Sequence, residues 1–68
     1  NQGDWQAAVA ILESVTQRYR DATTYGLLGV AWGNQGNLVK AREMFERAII
    51  IDPTQPEAKA GLQRLNAP

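Results

Sequence analysis

The sequence predicts an all-α fold of four helices, each antiparallel to the next, and three observations carry that reading. Apolar residues recur three or four apart within every segment that lies between turn signals, the spacing of one helix face. Capping and breaking residues punctuate those segments at Asp4, Asp21, Gly36-Asn37 and Asp52-Pro53. The chain also repeats itself: Asn1-Gln2-Gly3-Asp4 returns as Asn34-Gln35-Gly36-Asn37, 33 residues on, and Ala8, Leu12 and Val15 are matched by Ala41, Phe45 and Ala48 at the same offset.

Asp4 is placed to cap a first helix over about residues 5–19, with Trp5, Ala8, Val9, Leu12 and Val15 on one face. Asp21 or Thr23 caps a second helix that runs to about residue 35. Gly36 suits the left-handed residue that ends it, and Asn37 caps a third over 38–51. Within the run Ile49-Ile50-Ile51, Ile49 and Ile51 are expected to face inward and Ile50 outward. Asp52-Pro53-Thr54 forms a turn, and Pro56 fits the first position of a last helix ending near residue 66. Turns of about two to five residues then set the helices antiparallel.

Tyr25, Leu28, Gly29 and Trp32 give the string Y-x-x-L-G-x-x-W, Ala41, Phe45 and Ala48 give A-x-x-x-F-x-x-A, and Pro53 closes the unit. That pattern resembles the signature of the tetratricopeptide repeat (TPR) family. The resemblance covers nearly the whole chain, although only residues 22–55 carry all of it. It implies hairpins stacked as a right-handed superhelix: residues 1–21 are the second helix of an incomplete repeat, 22–55 a complete repeat, and 56–68 a C-terminal solvating helix. Gly29 is then expected to let two helices approach closely, with Ala41 and Ala48 small on the facing helix.

The two ends differ. The last helix keeps Ala58, Leu62 and Leu65 toward the preceding hairpin but has Lys59, Gln63 and Asn66 where Tyr25, Gly29 and Trp32 stand in the full repeat. Burying those polar groups without partners is costly, so this end is expected to close the array. At the other end Ala8, Leu12 and Val15 stay apolar on a face that a missing helix would cover. Either further repeats precede the chain, or a second copy covers the stripe as a homodimer.

Catalysis finds no support in the residues present. There is no His, no Cys and only one Ser, Ser14, which rules out the usual nucleophile–base pairs. No acidic loop has calcium-ligand spacing, so neither a metal nor a cofactor is expected. Glu43 and Arg47 fit an i,i+4 pair on a solvated face better than Glu43 and Glu46 fit a pair of working carboxylates. Gly26, Gly29, Gly33 and Gly36 lie in or at the end of a helix with no Gly-Lys-Ser/Thr after them, unlike a phosphate loop. Seven acidic and seven basic residues cancel, and the basic ones are scattered, which argues against nucleic acid or an anionic membrane as partner. No apolar run approaches the roughly 20 residues needed to span a bilayer.

The resemblance implies a protein or peptide as partner, held in the concave face. It assigns that role to Thr23, Gly26, Leu27, Val30, Gly33 and Asn34 of the second helix and to Glu57, Ala60, Gly61 and Arg64 of the last. Members of the family that hold a partner's terminal carboxylate use Lys, Asn and Arg in this groove. Leu27, Glu57 and Gly61 stand at the matching places here, which argues against such a clamp. The alternative is a structural self-assembly unit that pairs through Ala8, Leu12 and Val15.

Overall fold

The computed structural model describes residues 2–67, with side chains from residue 4 onward. Asn1 and Pro68, which bound the first and last predicted segments, lie outside the described residues. Four helices follow one another: α1 (Gln2–Arg18), α2 (Ala22–Asn34), α3 (Leu38–Ile51) and α4 (Pro56–Asn66). No strand occurs among the described residues.

Local side-chain chemistry fixes most of these boundaries. Asp21 sits in extended backbone and its carboxylate accepts the Thr24 N–H at 2.7 Å, satisfying one of the free donors of the first turn of α2. At the other end of α2, Asn37 N–H donates to Trp32 O and Gly36 N–H to Gly33 O, both at 3.0 Å. This double closure requires a left-handed residue, and Gly36 supplies it at φ 87°. Asn37 then turns its side chain forward and accepts the Lys40 N–H at 3.1 Å, so one residue closes α2 and opens α3. Past α3, the Asp52 carboxylate takes both the N–H (3.0 Å) and the hydroxyl (2.7 Å) of Thr54, which holds the turn into Pro56.

Two expectations need correction. The first helix already includes Gln2, so Asp4 lies in its first turn and is not its cap. A carboxylate there still favours the helix through the positive end of its dipole. Ile51 is 47 % exposed while Ile49 packs against the core. At 100° per residue the two lie 200° apart and cannot share an inward face.

Packing centres on α2, which contacts α1, α3 and α4, whereas the backbone of α1 comes close to neither α3 nor α4. The buried set runs through all four helices: Val9; Ala22, Tyr25, Leu28 and Ala31; Ala41, Met44, Phe45 and Ala48; and Ala58. Leu62 and Leu65 pack on it from α4, and Trp5, Ala8 and Leu12 from α1. Lys59, Gln63 and Asn66 are exposed, and Arg42 reaches across to bond Asn66 Oδ1 at 2.8 Å.

Glycines mark where helices meet. A Cβ at Gly29 would strike Cδ1 and Cε1 of the Phe45 ring, and one at Gly61 would strike its Cε2 and Cζ. Phe45 is therefore held edge to edge between α2 and α4. Ala41 lies across from Gly33, where an added Cβ would sit 3.8 Å from its own Cβ. Helix α2 gives up roughly 1 kcal/mol of helix propensity at each interior glycine relative to Ala, and close packing offsets it.

Candidate functional site

Between α2 and α4 lies a groove of about 450 Å³. Its floor is Phe45 and Ala41, seen past Gly29, Gly33 and Gly61, and its walls carry Val30, Leu38, Ala60 and Leu65. The floor is apolar and shallow because three wall positions have no side chain, which brings helix backbone close to whatever occupies the space.

Seven of the ten residues assigned to the concave face line this groove: Val30, Gly33 and Asn34 from α2, and Glu57, Ala60, Gly61 and Arg64 from α4. The other three do not. Thr23 and Leu27 are exposed nearer the start of α2, and Gly26 is covered by the side chain of Gln55. Sequence reasoning missed Gly29, Leu38, Ala41, Phe45 and Leu65 as lining residues. Gly29 and Phe45 belong to the repeat signature as packing positions, and they also line the groove, whereas Leu28 is core alone.

Gln55 explains Gly26. Its side chain is 97 % buried and caps α4: Oε1 accepts the Ala58 N–H at 2.7 Å and Nε2 donates to Glu57 Oε1 at 2.6 Å. A Cβ on Gly26 would collide with that amide. Gln is an uncommon cap, and the available signal was a helix-interior glycine with no reason of its own. One consequence reaches the groove, since Glu57 is already oriented by Gln55 while the Arg64 side chain makes no ion pair or hydrogen bond to any described residue. Both are on α4, seven residues and so about 10.5 Å apart along its axis. The Asn34 amide is folded back, donating to Val30 O at 2.8 Å, which leaves its oxygen to the groove.

Away from the groove the charges are ordinary. Arg47 and Glu43 approach to 3.8 Å on an exposed face. Hydrogen bonds from Thr24 lower the pKa of Asp21 below the usual aspartate value, and those from Thr54 do the same for Asp52. Trp32 is half-buried, with Lys40 Nζ 6.0 Å from its ring centre and its Nε1 buried without a partner. Among the described residues no three His, Cys, Asp or Glu side chains gather as a metal site, and no helix is long and apolar enough to cross a membrane.

On α1, Ala8, Leu12 and Val15 are half-buried, with Ala8 and Leu12 packed against the core, while Ile11 beside them is 65 % exposed.

Four helices packed in succession, with glycines where α2 and α4 meet Phe45 of α3, define a helical-repeat arrangement. A family model described as tetratricopeptide repeat matches residues 1–65, and the chain belongs to that family. Repeats of this family generally mediate protein–protein interaction and are typically non-catalytic scaffolds. No curated protein and no solved structure gives a significant match to the chain.

Proposed function

We propose that the chain is a protein-interaction scaffold that takes a peptide or helix of its partner in the groove between α2 and α4. The observation that carries this reading is the floor of that groove. Phe45 lines it while packed against Gly29 and Gly61, so a guest backbone or apolar side chain meets the small part of an aromatic ring left open at the base. Val30 and Ala60 supply apolar walls, and Arg64, which no described side chain neutralises, sets a preference for an acid at one end.

The test is a peptide selected for binding to the chain from a random library. Val30→Arg is expected to weaken that peptide at least tenfold, because a guanidinium fills the groove, while helical content by circular dichroism stays the same. Unchanged affinity removes the groove assignment.

Self-assembly through α1 is the second reading, favoured by the exposure of Ile11 beside a half-buried apolar stripe on a helix that packs against α2 alone. Ile11→Glu is the clean probe, because Leu12 already packs on the core. Light scattering that shows a monomer with and without the substitution eliminates this reading.

A further inference from the structure

Helices α1 and α3 both pack on α2, and their backbones do not approach each other closely. A furrow of about 490 Å³ remains between their C-terminal ends, lined by Thr16, Gln17 and Arg20, by Tyr25 of α2, and by Arg47, Ile50 and Ile51 of α3. It shares no lining residue with the groove between α2 and α4. The geometry points to this furrow as a second docking site, one that takes a segment of a partner protein carrying a carboxylate next to a bulky aliphatic side chain.

Three features of the furrow select that chemistry. Arg20, in the turn between α1 and α2, and Arg47 of α3 both line it, and no acid does. Planar guanidinium forks suit a carboxylate better than any other common side chain. Next, Tyr25 is 92 % buried, yet its hydroxyl makes no hydrogen bond to any described residue. Trp32 Nε1 is the one fully buried polar side-chain atom without a partner among the described residues, so the phenol oxygen of Tyr25 reaches solvent, and the residue lines the furrow. Arg47 lies over the same ring, 6.0 Å from its centre. A donor hydroxyl at the back and guanidinium groups at the sides make a receptacle for one anionic group. Third, Ile50 and Ile51 are 82 % and 47 % exposed at the rim, where an aliphatic neighbour of that anion would lie against them.

The nearest competitor is Glu43, one turn back along α3. Its 3.8 Å contact with Arg47 is long, and both side chains are about half exposed. An incoming carboxylate can replace it without leaving a buried charge unpaired, since Glu43 returns to water.

The experiment uses the isotopically labelled chain and two blocked synthetic peptides, one alternating Glu with Leu and the other alternating Lys with Leu. The acidic peptide is expected to shift the backbone amides of Thr16, Gln17, Tyr25 and Ile50, leaving Val30 and Ala60 unmoved. Tyr25→Phe should weaken it about tenfold, the effect of losing one hydrogen bond to a charged group. Arg20→Glu, at an exposed position in a turn, should weaken it at least as much, and Arg20→Glu with Arg47→Glu should transfer preference to the lysine peptide. Circular dichroism checks that each variant keeps its helices. Equal binding of both peptides by the unaltered chain, shifts centred on Val30 and Ala60, or no shift with either peptide overturns the proposal.

Discussion

Phe45 and Leu12 occupy equivalent places 33 residues apart, yet Phe45 is 4 % exposed and Leu12 only half-buried. Their neighbours behave in the same way. Ala41 and Ala48 are fully buried, whereas Ala8 and Val15, at the same offset, are not. Residue type does not explain this, because Leu and Val are as apolar as the residues they match. Helix number does: α3 is flanked by α2 and α4, while α1 packs on α2 alone. In a stacked array a side chain on the second helix of a hairpin is buried only once first helices stand on both sides of it.

The largest test of this contrast is truncation at the two matched positions. Phe45→Ala should remove about 3–5 kcal/mol of stability, against about 1–2 kcal/mol for Leu12→Ala, because the leucine is smaller and keeps part of its surface in water. Urea denaturation of the two variants measures the gap, and equal losses would show that the junctions are energetically alike.

A smaller effect, but one of opposite sign within a single groove, comes from the glycines. Gly61→Ala puts a methyl group into the Phe45 ring and should cost about 1–3 kcal/mol, offset in part by helix propensity. Gly33→Ala meets only an ordinary contact with Ala41, so the same propensity should stabilise the chain by up to about 1 kcal/mol. A loss at Gly33 as large as that at Gly61 would mean that α2 and α3 are closer than 3.8 Å allows.

The smallest effect separates the two turns that begin with an aspartate. The pKa values of Asp21 and Asp52 are lowered in the folded chain, so each contributes stability that is complete above the ordinary aspartate pKa of about 4 and lost as pH falls through the lower folded value. Thermal melts should therefore show a shallow decline beginning below about pH 4. Asp21→Asn, which keeps a capping oxygen, should flatten that decline without moving the neutral-pH melting point much. A decline equally steep in the variant would place the acid sensitivity elsewhere.

Much of the architecture was legible in the sequence because it rests on local chemistry. Asp21, Gly36, Asn37 and Pro56 each act within a few residues of themselves, and the helices α2, α3 and α4 begin and end where those residues require. What stayed hidden depends on distant partners. The fit of Gln55 into the notch at Gly26, and of Phe45 between Gly29 and Gly61, links residues that no periodicity relates. Ile51 was misplaced because a triplet of isoleucines has no polar residue to mark its outer face. The furrow beside Tyr25 was illegible for another reason: it exists only because α1 and α3 stand apart, which is a property of their spacing on α2.

Because Phe45 is both the wedge between α2 and α4 and the base of their groove, architecture and the proposed recognition draw on one ring. Any substitution that deepens or narrows that base also alters the pitch at which successive hairpins follow each other. Under the proposed function, variation in what is bound is thereby confined to the side walls, at Val30, Ala60 and Arg64. The ring works as a spacer gauge, and selectivity must evolve around it.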